Sequence, residues 1–488
     1  MKHEKLAESL NQIRDGYIRE AAFPKRRRPY RLGALAAVLA LVIVCGVVWQ
    51  PLNSANEADA PEAPDIALKN PEESISGLIP YAIAAPIYPK LSPYPMEYSE
   101  NAYSAWRDDQ QALRSQPSGY ADSLKDYFAT AIPALLAEKE GSNTVCSPVN
   151  IYMALAMLAE ATAGDSRSQI LALLGADSIE DLRIQAGHVW QAHYNDDGLS
   201  TSILANSLWL DDAYTYNIKT VKLLADSYYA SVFQGDLGSN SMDLALQTWL
   251  NQQTKNLLAE QAQQVELSPL SSLVLASTVC YQAQWQSRFN KDLNTQSIFR
   301  SPSGNREVTY LNDVLTYGPY YWSEHFGAIS LPLEDDSRMW LLLPDENVSA
   351  EEILESGEVM DFLLARNWTD QKSLTVHLSL PKFDIASDAD ISQPLKKLGV
   401  TDIFEAYTAD FSPIIPNEDG GAISQIQHAA RVGIDEDGVI AAAFTVILRA
   451  GAGLPPEEEM DFILDRPFLF CIESRDGLPL FMGIVNEP

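Results

Sequence analysis

The residues that usually build metal and redox sites are scarce in this chain of 488 residues. It has four cysteines (Cys45, Cys146, Cys280 and Cys471), and no two of them form a CxxC pair. We therefore expect buried free thiols, with one disulfide among the last three left open, and no metal site. The chain also lacks the GxSxG, HExxH, Walker and GxGxxG motifs. We expect neither a cofactor nor enzymatic activity.

Positive charge is also scarce. The chain has 34 Lys and Arg against 66 Asp and Glu, for a net charge of -32. Residues 1–32 hold nine of the basic residues and only four acidic ones, so the remainder is more acidic still. Such a surface repels phosphate backbones, and we exclude nucleic acid as a partner.

Charge is absent altogether from residues 32–49, "LGALAAVLALVIVCGVVW", which follow the basic cluster "KRRRPYR". Eighteen apolar residues approach the length of a membrane-spanning helix, and flanking basic residues stay cytoplasmic. The sequence predicts a cytoplasmic tail over 1–31, a transmembrane helix over 32–49 and an extracellular remainder. A cleavable signal peptide ending near Ala58–Ala60 is the alternative, and it would give a secreted protein.

Prolines recur after this run, in "PEAP", "NPEE" and "AAPIYPKLSPYP", and predict an extended stalk over 50–115. Residues 116–488 then show helical patterns followed by strand patterns with helices interspersed. That order predicts an α+β fold with large, mainly antiparallel sheets.

The C-terminal segment "FILDRPFLFCI" (462–472) carries a specific pattern, in which Asp465, Arg466, Pro467 and Phe468 lie between apolar residues. Here the sequence resembles the serpins. "NTVCSPVNIYMALAMLAE", "LVLASTVCYQAQWQSRF", "LPKFDI" and "IQHAARVGIDEDG" resemble further serpin segments, in the family's order and spacing. The resemblance covers about residues 119–488. It implies about nine helices and an exposed reactive loop that a protease cleaves and that then inserts into a sheet.

The segment "DEDGVIAAAFTVILRAGAG" (435–453) occupies the position of that loop. It has no charge from Gly438 to Leu448 and is rich in small and β-branched residues, so it can become a buried strand without ionic desolvation. Ile440 and Phe444 depart from the family pattern. The resemblance assigns the loop hinge to Glu436, Gly438, Val439, Ala441, Ala442 and Ala443.

The resemblance also implies a polar cluster of Ser147, Ser277 and His428 beneath the point where the sheet opens. Asparagine is usual in the family where Ser277 stands. By the family's spacing between hinge and cleaved bond, the resemblance implies a reactive bond at Ala452–Gly453, with Arg449 and a later bond near Pro456 as alternatives.

These features predict a monomeric suicide inhibitor of extracellular serine or cysteine proteases, tethered at the cell surface. The alternative is a non-inhibitory serpin-fold binding or adhesion protein. The segment "VIAAAFT" (439–445), which has no charge and no proline, favours inhibition.

Overall fold

The computed structural model describes residues 38–43, 80–95, 99–137, 141–256, 262–263, 265–269, 271–366, 368–416, 422–439 and 456–488. All of them lie in one compact unit, Ala36–Pro488.

The described residues form ten α-helices. They are α1 (Glu100–Arg114), α2 (Leu124–Leu136), α3 (Pro148–Ala161), α4 (Gly164–Leu174), α5 (Ile179–His193), α6 (Ile218–Ser227), α7 (Asn240–Gln253), α8 (Ala350–Glu355), α9 (Glu358–Ala365) and α10 (Ser392–Lys397). Polar side chains cap several N-termini. Ser349 accepts from the backbone N–H of Glu352, and the Glu352 carboxylate accepts from the N–H of Ser349, which together form a capping box.

The strands are β1 (Val38–Ile43), β2 (Ala82–Ala84), β3 (Thr144–Cys146), β4 (Asn195–Asp196), β5 (Thr201–Asp211), β6 (Ala230–Gly235), β7 (Ser271–Gln284), β8 (Thr295–Ser301) and β9 (Gly304–Trp322). They continue with β10 (Phe326–Pro332), β11 (Arg338–Pro344), β12 (Gln371–Pro381), β13 (Asp384–Asp390), β14 (Ala422–Gly433), β15 (Gly438–Val439), β16 (Glu459–Ile463), β17 (Phe468–Glu473) and β18 (Pro479–Val485).

The first sheet, called the large sheet below, has the strand order β13-β14-β1-β7-β5-β6-β2. Both faces of its central strands are covered. Along β5, Leu204 and Leu208 join the main core, whereas Ala205 and Trp209 join a second cluster that contains Trp249 of α7. Strands buried on both faces are typically apolar throughout, and β5 and most of β7 are buried residue after residue.

The second sheet has the order β16-β12-β9-β10-β11-β17-β18-β3. Most strand pairs in the two sheets are antiparallel, as the sequence predicts. Three pairs in the large sheet and the β12–β16 pair in the second sheet are parallel. The C-terminal strands β17 and β18 form a hairpin between β11 and the edge strand β3.

The transmembrane helix predicted over 32–49 is not seen in its described part, because residues 38–43 form strand β1 of the large sheet. Among the described residues, none of the helices combines the length and apolar character needed to cross a membrane. The tail over 1–31 lies outside the described residues.

The described part of the predicted stalk is folded onto the body. Strand β2 pairs with β6, and the N–H of Gln234 donates to the carbonyl of Tyr81 at 2.8 Å. Helix α1 is held by Trp106, whose indole N–H donates to Asp197 at 2.8 Å, and by Gln110, which donates to Asn195 at 2.8 Å. Residues 80–95 and 99–114 are therefore part of the globular unit, which begins earlier than the predicted boundary at residue 116.

Candidate functional site

The predicted hinge lies where β14 ends beside the C-terminal end of β7. The backbone N–H of Trp285 donates to the carbonyl of Asp437 at 3.0 Å, and its indole N–H donates to that of Asp435 at 2.9 Å. The N–H of Phe289 donates to the carbonyl of Glu436 at 3.0 Å. The segment that follows β7 thus holds the backbone of residues 435–437, which precede the loop, by hydrogen bonds.

Glu436 is a buried carboxylate with two partners. Its Oε1 forms an ion pair with Lys382 Nζ and accepts from Asn294 Nδ2 at 2.5 Å. Burial alone would raise the pKa of Glu436, but the hydrogen bonds from Lys382 and Asn294 outweigh it and lower the pKa. Glu436 therefore stays ionised and ties the hinge to β12 and to the β7–β8 connection.

Gly438 occupies a position that admits no side chain. A Cβ at this residue would lie 2.2 Å from the carbonyl oxygen of Ala283. Because Gly438 has no side chain, Gly438 and Val439 can pair antiparallel with Gln284 and Ala283, as strand β15. The reason for glycine here is the close approach of two backbones.

A cavity of about 390 Å³ lies directly beside this pair. Val279 and Tyr281 of β7, Val432 of β14, and Ile434 and Val439 of the hinge contribute to its lining. The cavity therefore opens between β7 and β14, on the path that a strand continuing from Val439 would take.

The residues of the predicted polar cluster fall into two separate hydrogen-bonded groups. The backbone N–H of Ser147 donates to Nε2 of His428 at 3.1 Å, and burial lowers the pKa of His428 to about 3. Ser277 Oγ instead lies 2.5 Å from Asn150 Oδ1 and 2.8 Å from Asn206 Oδ1. The structure thus joins Ser147 to His428, whereas Ser277 is bonded to two asparagines that the sequence analysis did not single out.

The residues of the C-terminal signature lie at the start of β17 and make structural contacts there. The backbone N–H of Arg300 donates to the carbonyl of Asp465 at 2.7 Å, and its guanidinium forms an ion pair with the Asp465 carboxylate at 2.9 Å. Arg466 donates to the carbonyl of Pro344 at 2.7 Å, and Phe468 is fully buried. Pro467 lies between them and is partly buried.

Several predicted site residues lie outside the described residues. They are Ala441, Ala442, Ala443, Ala452 and Gly453. Cys146, Cys280 and Cys471 are buried free thiols. In the ranges covered by the structure, no group of three or more His, Cys, Asp or Glu side chains could hold a metal ion.

The family model described as Serpin (serine protease inhibitor) matches residues 124–488. The chain belongs to the serpin family. Serpin-ZX of Arabidopsis thaliana is 26% identical over 365 residues, which cover 72% of this chain and 93% of the relative. The human leukocyte elastase inhibitor is 27% identical over 367 residues, which cover 73% and 96%. Membership supports a role in protease inhibition in general and not in enzymatic catalysis.

Solved serpin structures have the same fold. Native tengpin, a thermophilic serpin, superposes with a TM-score of 0.66 at 24% identity, covering 82% of this chain and 98% of that one. Arabidopsis AtSerpin1 in its native stressed conformation gives a TM-score of 0.66 at 23% identity, covering 76% and 100%.

The sequence analysis missed the residues that hold the hinge. Lys382 and Trp285 lie inside the quoted segments "LPKFDI" and "CYQAQWQSRF", but nothing in their local pattern pairs them with a loop about fifty to one hundred and fifty residues away in sequence. Asn294 lies in no recognised segment. Their roles depend on tertiary contacts.

Proposed function

We propose that this serpin inhibits serine or cysteine endopeptidases as a suicide substrate. The observation that carries the proposal is the arrangement of the hinge. Gly438 and Val439 start a strand that runs antiparallel along β7, toward an open cavity between β7 and β14. Once it is cut at its far end, a loop that begins in this way can continue as a sheet strand along β7.

In the proposed reaction the protease supplies the chemistry. Its nucleophile attacks the carbonyl carbon of Ala452, and the amine of Gly453 leaves with a proton, which gives an acyl-enzyme. The part of the loop that precedes the bond then enters the sheet and carries the protease with it before water hydrolyses the ester or thioester. The inhibitor needs no catalytic residue and no cofactor.

The loop composition suits this step. If side chains alternate from Val439, then Ala441, Ala443, Thr445 and Ile447 share one face of the inserted strand. The face is small or β-branched and uncharged. Roughly ten new backbone hydrogen bonds, at about 1 kcal/mol each, would make insertion favourable by an amount similar to a domain's stability.

The proposed target is an extracellular protease that accepts small residues before the cleaved bond, because Ala452 precedes it. Elastase-like and subtilisin-like enzymes have this preference, and one of the relatives is named a leukocyte elastase inhibitor. We propose that the chain acts outside the cytoplasm as a monomer.

The test is incubation of the full chain with elastase-, subtilisin-, trypsin- and papain-like proteases, followed by denaturing gels and intact mass. We expect a band that resists boiling at the summed mass of inhibitor and protease. The mass of the released C-terminal peptide identifies the cleaved bond, and a cut after Arg449 or near Pro456 would replace Ala452–Gly453.

Two loop variants make this test specific. Thr445→Arg places a charge on the inserting face and should turn the protein into a substrate that is cleaved without an adduct. Thr445→Ser, which keeps this position small and uncharged, is the matched control and should keep most of the adduct. Cleavage without an adduct by every protease, both in the parent chain and in the Leu41→Asp variant described below, would favour the non-inhibitory serpin, acting as a binding protein.

A further inference from the structure

A strand from the leader of the chain lies inside the large sheet. Strand β1 pairs with β14 on one side and with β7 on the other, parallel to both. Its first residue, Val38, is opposite Ala422 and Ser271, and its last residue, Ile43, is opposite His428 and Ser277. Over this stretch β7 and β14 are therefore not neighbours, because β1 separates them.

The register of the hinge shows which loop residues would need the same place. Gly438 is opposite Gln284 and Val439 is opposite Ala283 in an antiparallel pair. If the loop continued in this register, Thr445 would come opposite Ser277. The residues after Thr445 would then face the part of β7 with which β1 pairs. The backbone groups on that side of β7 can bond to one neighbouring strand only.

Among the described residues, no strand occupies the rest of the insertion path. In the same register, Ala441 and Ala443 would face Tyr281 and Val279, which line the cavity of about 390 Å³. The path thus has two halves. The half next to the hinge is a cavity that could take the alanines, and the other half is filled by β1.

The sequence of β1 suits a central strand. "VLALVI" has no charge and is rich in β-branched residues and leucine, the composition of strands that have neighbours on both sides. We propose that β1 is an internal competitor of the reactive loop. While β1 stays in the sheet the loop can insert only as far as about Phe444, and full insertion requires β1 to leave. This regulation rests on the proposed function, since it concerns the same insertion path.

The test measures access to the path without any protease. A fluorescent synthetic peptide, VIAAAFTVILRAG (residues 439–451), is incubated with the purified full chain, and its incorporation is followed on native gels. Two variants should release β1. Leu41→Asp puts a carboxylate into a central strand, and Ala40→Pro removes a donor from the ladder. Leu41→Val, which favours a strand, is the matched control.

We expect both releasing variants to incorporate the peptide at least about fivefold faster than the parent chain, and Leu41→Val to match the parent. Equal rates in the parent and in both releasing variants, with unchanged melting temperatures, would overturn the proposal, because β1 would then not hold the path. If incorporation differs as expected but no variant forms a protease adduct, the proposed inhibitory function fails while the competition of β1 stands.

Discussion

Glu436 keeps its negative charge although only 6% of its side chain is exposed, and this charge connects the hinge to the rest of the site. Its partner Lys382 is about one third exposed, and Asn294 completes the contact. A buried carboxylate is costly without such partners, so the contact with Lys382 decides whether the hinge stays in place.

Lys382→Met should therefore lower the free energy of unfolding by about 1–3 kcal/mol, because Glu436 loses its cation while it remains buried. Urea unfolding measures this change. The control is Lys372→Met, which removes the cation from an exposed pair with Glu458 and should cost less than about 1 kcal/mol. Equal losses in the two variants would contradict the assigned role of Lys382.

The pH dependence of the Lys382→Met effect has a definite sign. The folded state lowers the pKa of Glu436, so this interaction stabilises the fold above the unfolded pKa of about 4.3 and is lost as the pH falls through the folded value. The difference in unfolding free energy between the parent and Lys382→Met should be full at neutral pH and shrink on acidification below about pH 4.

At the scale of elements, β2 and the residues that follow it are attached to the body by side chains as well as by strand pairing. The ring of Tyr88 lies 5.3 Å from Trp190, 5.5 Å from Tyr194 and 6.4 Å from Tyr229 between centroids. Aromatic clusters of this kind contribute packing and edge-to-face energy. The neighbouring Ile87 is 91% exposed.

Tyr88→Ala should lower the free energy of unfolding by about 2–4 kcal/mol, because it removes a large ring from this cluster. Ile87→Ala should change it by less than about 0.5 kcal/mol, since the side chain packs against little. The two variants differ by one position in the chain. If this segment did not contact the body, Tyr88→Ala and Ile87→Ala would have the same effect on thermal or urea unfolding.

The sequence predicted those features of the fold and of the site that short stretches of sequence encode. The α+β class with large sheets, the C-terminal signature and the family could all be recognised from short segments, and the family model confirms the resemblance. Proline-rich composition, by contrast, indicates an extended backbone but does not say whether that backbone is solvated. Tyr88 and Trp106 reach partners roughly a hundred residues away, so only the folded structure reveals the packed extension.

The apolar run over 32–49 was ambiguous for a physical reason. Central strands of a large sheet and membrane-spanning helices both consist of uncharged, β-branched and leucine-rich residues. The basic cluster before the run favoured a helix, and the pairing of β1 with β7 and β14 depends on an opening that no local pattern encodes.

At the scale of the whole molecule, the proposed insertion site is assembled from distant parts of the chain. Ser147, Ser277 and His428 come from an N-terminal segment, from β7 and from β14, and Ile43 of β1 is opposite both Ser277 and His428. The polar cluster therefore lies at the end of β1, at the boundary between the filled and open halves of the path.

The net charge of -32 should govern encounters with proteases. A strongly acidic surface attracts cationic enzymes and repels anionic ones, and salt screens both effects. For a cationic and an anionic protease of similar specificity, we measure the second-order rate of adduct formation between about 0.05 and 0.5 M NaCl. The rate with the cationic protease should fall by about tenfold, and that with the anionic one should rise or stay constant. A parallel fall with both would mean that salt acts on loop insertion and not on the encounter.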